Sequence, residues 1–128
     1  MDTKITEYIH NNSDMFRDKA TDSDIKEFEN KYDIFLPSSF KEWLKIFDGG
    51  DFESFQIYVV AHKPLISFDD VIRPNEDYVI IGSFSNGDPI VFKIDEEEID
   101  IYNLEAGVIE DEERYDNFED FLKVQLYL

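Results

Sequence analysis

The sequence predicts an α+β domain: helices first, then an antiparallel meander, then a closing helix, with the helices packed on one face of the sheet. Three observations predict it. Aromatic residues recur at helical spacing in the first fifty positions. After Gly50 the pattern changes to short β-prone runs separated by turn signals. A last apolar stripe at helical spacing follows Asn117. The 128 residues suit a single core, and no linker, repeat or low-complexity tract divides them, so residues 1–128 read as one domain.

Residues 3–12 read as a short helix ended by Asn11, Asn12 and Ser13, and residues 13–20 as a loop. Thr21 is a good N-cap, with Asp24 three positions on as an imperfect capping box. Ile25, Phe28 and Tyr32 then place one apolar stripe inward. Pro37 suits the first turn of a second helix, where its missing N–H costs nothing. Phe40, Trp43, Leu44 and Phe47 follow at i, i+3, i+4 and i+7, and Gly49 or Gly50 is expected to close that helix.

Gln56–Val60 reads as a strand. Ser67 reads as the cap of a short turn of helix, with Asp70 at N3 and Val71–Ile72 packing inward, before a break at Arg73-Pro74-Asn75. Tyr78–Ile81 is a continuous β-prone run, which marks a central strand. Ser85-Asn86-Gly87-Asp88 is a hairpin turn, and Pro89–Ile94 is the return strand. Ile99–Leu104 alternates, with Ile99 and Ile101 inward and Asp100 and Tyr102 outward. Residues 105–116 read as an acidic loop or frayed segment. Asp116 or Asn117 caps a final helix that buries Phe118, Phe121, Leu122 and Leu126.

Charge bounds the function. The formal net charge is −19. Residues 95–120 hold thirteen acidic residues against one basic, Arg114, whereas residues 1–50 hold eleven against seven. Phosphate binding needs clustered Lys and Arg, so direct contact with nucleic acid is not expected, and anionic membranes are disfavoured on the same ground. A basic protein partner is favoured, because opposite fields raise the encounter rate. The plainer alternative is an acidic surface that serves solubility. No Cys is present, which excludes disulfides, thiol catalysis and zinc-thiolate sites. Neither a basic and apolar leader nor an apolar run of membrane-spanning length is visible, so a cytoplasmic protein is expected.

Catalytic patterns are missing from the sequence. His10 and His62 have no sequence partner that suggests a metal or an acid–base pair. Carboxylate pairs carry no signal among 31 acids. Asp95 to Asp100 lacks the ligand spacing and the glycine of a calcium loop, and Asp48-Gly49-Gly50-Asp51 fails the same pattern. Neither a phosphate-binding loop nor a nucleophile elbow occurs. The expectation is a non-enzyme with no cofactor and no metal.

Three blocks of the chain resemble the SUKH superfamily. The first is the acidic helix followed by LPSSFKEWLKIFDGG, residues 36–50. The second is YVIIGSFSNGDPIVFKI, residues 78–94, and the third is NFEDFL, residues 117–122. Order and spacing agree over residues 20–124. The superfamily contains the fungal Smi/Knr cell-wall regulators, and its bacterial members are mostly immunity proteins that neutralise toxins. The resemblance therefore implies an immunity protein that binds the C-terminal toxin domain of a polymorphic or contact-dependent toxin. The alternative is a regulatory scaffold or adaptor like the fungal branch. No catalytic residues transfer with it.

Combined with the charge, the resemblance points to a toxin domain with a basic surface, such as a nuclease groove. The candidate partner-binding residues are Asp95, Glu96, Glu97, Glu98 and Asp100 first, then Glu110, Asp111, Glu112 and Glu113. Tyr102 and Tyr115 are candidate aromatic anchors beside them. For both tyrosines the plainer alternative is an ordinary half-buried position.

Overall fold

The computed structural model describes residues 2–11, 19–58, 77–103 and 105–128, with the side chains of Asp111 and Glu112 not described. Four helices are described: α1 Thr3–Asn11, α2 Asp22–Tyr32, α3 Ser38–Leu44 and α4 Phe118–Gln125. Six strands are described: β1 Gly50–Asp51, β2 Phe55–Ile57, β3 Tyr78–Phe84, β4 Pro89–Lys93, β5 Ile99–Asn103 and β6 Val108–Tyr115. They form one antiparallel sheet in the order β1-β2-β3-β4-β5-β6, a pure meander. The expected α+β architecture is the observed one.

The helices start where local chemistry allows. Thr21 Oγ1 accepts from the Asp24 amide at 3.1 Å, and the Asp24 carboxylate accepts from the Thr21 amide at 2.9 Å. The capping box is thus complete, although an aspartate stands where a longer side chain is usual. Asp33, with φ 52°, ends α2 in the left-handed region that Asp tolerates better than most residues. Pro37 precedes α3 as its N-cap rather than entering its first turn, and it offers no side-chain acceptor. Asn117 caps α4, accepting from the Asp120 amide at 2.8 Å.

Two elements depart from the sequence expectation. Gly49 and Gly50 do not close α3, which ends at Leu44 with Lys45 as its cap. Instead Gly49, with φ 78°, turns the chain so that its carbonyl meets the Trp43 indole N–H at 3.1 Å, and Gly50 opens β1. A buried indole needs such an acceptor, and the turn supplies it. Phe47, expected at i+7 on the helix, lies beyond its end, with its ring centroid still 5.9 Å from that of Trp43. Residues 105–116 are also not a loop: Val108–Tyr115 is the last strand of the sheet. Its acidic run hides the alternation that would mark a strand, and pairing to β5 overrides that local bias.

The β2 strand covers Phe55–Ile57, so its expected continuation through residues 59 and 60 lies outside the described residues. So do the turn of helix from Ser67 and the break at Arg73-Pro74-Asn75.

The core forms between the helices and one sheet face. Trp43, Phe40, Phe118, Phe121 and Phe92 are fully buried there with Ile81, Ile90, Ile99 and Ile101. The Phe40 and Phe118 rings meet edge to face at 5.0 Å, Phe55 and Phe121 at 5.5 Å, and Phe52 stacks on Phe55 at 4.3 Å. Polar ties fix the helix pair within this core. Ser39 Oγ accepts from the Phe118 amide at 2.9 Å, so α3 caps the first turn of α4. The Leu44 carbonyl accepts from the Ala20 amide at 2.8 Å, which anchors the chain just before α2.

Gly82 sits at the irregularity in the β3–β4 register, between the pairs Ile80↔Val91 and Gly82↔Ile90. A Cβ there would lie 2.3 Å from the Gln56 carbonyl oxygen, which belongs to the rigid backbone of β2. Gly82→Ala is therefore expected to destabilise the fold by about 1–3 kcal/mol, as overpacking does. A urea denaturation series checks this, and an unchanged midpoint would contradict the β2–β3 packing.

Candidate functional site

The candidate acids fall into two groups at different places on the sheet. Asp95, Glu96, Glu97 and Glu98 form the turn between β4 and β5, where Asp95 takes φ 70° and the Glu96 amide donates to the Lys93 carbonyl at 3.0 Å. All four are exposed. Glu110, Asp111, Glu112 and Glu113 lie on β6, the edge strand. Glu110 is near the far end of the hairpin, where its carboxylate accepts from the Asn103 side-chain amide. Glu113, by contrast, adjoins Arg114, the register partner of Asp100, so the second group runs along β6 back toward the first.

Glu97 has an internal partner. Both of its oxygens lie 2.8 Å from the Ser38 amide nitrogen, so it caps α3 from 59 positions away. That placement supplies the acceptor Pro37 lacks and sets a negative charge at the positive end of the helix.

Asp100 corrects a sequence expectation. It points away from the helix-side core, as the alternation predicts, yet it is 0% exposed there rather than open to solvent. Its Oδ1 accepts from Arg114 Nε at 2.9 Å, while Arg114 Nη2 lies 3.5 Å from Glu98. Asp100 and Arg114 are register partners across β5 and β6, which brings the only base of the acidic stretch onto its buried acid. The carboxylate holds the guanidinium strongly protonated, through the hydrogen bond first and its charge second. Asp100 thus has no surface of its own to offer a partner in this conformation.

The two tyrosines differ in setting. Tyr102 is half-buried on β5 opposite Ile109. Tyr115 packs its ring edge to face on Phe121 at 5.3 Å, and its hydroxyl accepts from the Gln125 side-chain amide at 3.0 Å. Burial raises its ionisation above the ordinary 10.0, Glu113 adds to the rise, and the Gln125 bond opposes it.

The fold also assembles a grouping that sequence reading missed. Glu110 and Glu113 line one cleft of 370 Å³ with Asp88, Ser85, Phe84 and Gln125. Asp88 was legible only as a turn residue, and its position beside β6 follows from the meander placing the β3–β4 and β5–β6 turns at the same end. Among the described residues, no group of three or more His, Asp or Glu is arranged to hold a metal ion. No described helix is long and apolar enough to cross a membrane.

A small α+β domain is thus defined, with helices on one face of an antiparallel meander and an acidic far edge. Residues 19–124 match the family model of the SMI1 / KNR4 family (SUKH-1), and the chain belongs to that family. Comparison with curated proteins gives no match.

Two outcomes are expected here. Glu97→Gln keeps the shape but removes the charge at the α3 N-terminus, and should lower stability by roughly 0.5 kcal/mol in a thermal or urea series. Tyr115 should ionise above pH 10.0, seen as the absorbance difference between wild type and Tyr115→Phe across an alkaline titration. Because its folded value is raised, its stabilising contribution is complete below the unfolded value and is lost as pH rises through the folded one.

Proposed function

We propose that this chain is an immunity protein: it binds the toxin domain of a polymorphic or contact-dependent toxin and blocks it by direct contact, without chemistry of its own. Membership of the SMI1 / KNR4 family (SUKH-1) supports a protein-binding role. The observation that carries the reading further is the acidic edge of the sheet. Glu96 and Glu98 are exposed on the turn before β5, and Glu110 and Glu113 lie on the edge strand β6 and line a cleft. Rigidly held charge costs little ordering on binding and steers an oppositely charged partner into register. A toxin whose substrate is a nucleic acid offers such a partner, since its groove is basic. An acidic inhibitor occupies that groove in place of phosphate and does so in the cytoplasm, where the toxin acts.

The test is rescue. The toxin domain encoded beside this gene is expressed in a bacterium with and without this protein. Survival only with the protein, together with a co-purified complex, is the expected result. Toxicity that the protein does not relieve counts against the pairing, and a gene with no toxin neighbour favours a regulatory adaptor. With the complex in hand, Glu96→Lys combined with Glu98→Lys is expected to weaken binding at least tenfold and to flatten its dependence on salt. Affinity and salt slope both unchanged would place the interface elsewhere.

A further inference from the structure

The face of the sheet turned away from the helix-side core carries a cross-strand row: Ile80, Val91, Asp100 and Arg114, each the register partner of the next. Ile80 and Val91 are buried apolar residues, and Asp100 between Val91 and Arg114 is fully buried. Its carboxylate is turned to the edge of the sheet, where Oδ1 takes the Arg114 Nε–H at 2.9 Å. Asp100 Oδ2 is buried with no hydrogen-bond partner among the described residues. Buried polar atoms are nearly always satisfied, and an ionised one left bare is costly.

Two separate counts agree at this point. In hydrogen bonds, Asp100 has an acceptor oxygen that nothing among the described residues uses. In charge, Asp100 and Glu98 share the single guanidinium of Arg114, at 2.9 and 3.5 Å. Both counts leave the trio short of one cationic donor. We propose that Asp100, Glu98 and Arg114 form a half-filled receptor for a guanidinium group, and that the toxin domain supplies it from an arginine side chain. The inference rests on the immunity reading and names the contact at its centre. Arg114 is the movable part: its side chain is 45% exposed, whereas that of Asp100 is 0% exposed. Outward rotation of Arg114 opens a path to Asp100, and the incoming planar fork takes both carboxylate oxygens, the geometry in which Arg–carboxylate pairs are strongest. Arg114 keeps Glu98 as its partner, so each cation ends beside one acid. Lysine is a poorer fit, because its ammonium has no fork to match the two oxygens.

The test uses the intact protein and methylguanidinium as the probe, followed by nuclear magnetic resonance at constant ionic strength. Tetramethylammonium, with the same charge and no N–H donor, is the control. Saturable shifts of the Arg114 Nε–H and the Asp100 carboxyl carbon with methylguanidinium alone are expected. Asp100→Asn should weaken that binding at least tenfold, while Glu42→Gln on α3 should leave it unchanged. Should Asp100→Asn fail to fold, the comparison of the two probes on the wild type still decides. Equal responses to both cations, or an ordered water on Oδ2 with no saturable response, would overturn the proposal. Rescue from the toxin despite such a result would leave the immunity reading standing and remove only this site.

Discussion

Two phenylalanines one helical turn apart, Phe118 and Phe121, hold the layers of this fold together. Phe118 meets Phe40 and Trp43 of α3, while Phe121 meets Phe55 of β2, Phe84 of β3 and Tyr115 of β6. One turn of α4 therefore bonds a helix on one side to three strands on the other. Rings of this size each bury roughly 150–250 Å², so the contact carries much of the apolar burial available to a chain this short. The Ser39 bond to the Phe118 amide fixes the angle at which α4 enters.

That constraint reaches the acidic edge. Tyr115 closes β6 by packing on Phe121, and its neighbour Arg114 is thereby held opposite Asp100. The Asp100–Arg114 pair in turn fixes the β5–β6 register at that end, while Glu97 ties the preceding turn to α3. A run of like charges repels itself and favours extended, unpaired chain. Here the run is ordered because apolar and paired groups are threaded through it. Edge strands that carry charge also resist pairing with other copies, so these acids protect the sheet from itself.

The meaning of an acid depends on what the fold places beside it. Glu96 and Glu98 face solvent, Glu97 completes a helix, and Asp100 is enclosed on the sheet face away from the helices. These four lie within five positions and are chemically almost alike. Their roles separate only through contacts 14 to 59 residues distant. A binding surface read from charge density alone therefore overcounts, and the discriminating quantity is which carboxylates remain unpaired and exposed after the helix caps and cross-strand pairs are formed.

The sequence by itself determined the class of fold, the order of its elements, the α2 and α4 caps and the identity of most core residues. It could do so because capping chemistry and the 3.6 and 2.0 periodicities act within a few residues of each other. It also determined the family resemblance, since Leu36-Pro37, Gly87 and the Phe118 stripe recur at set spacing. Only the tertiary structure decided the rest. The end of α3 at Leu44 follows from the Trp43 indole finding the Gly49 carbonyl, and β6 exists because β5 pairs with an acidic segment that has no strand pattern of its own. The burial of Asp100 and the meeting of Asp88 with Glu110 and Glu113 likewise depend on register between strands. Register is a non-local property, set by the aromatic core and the turns, and no local spacing encodes it.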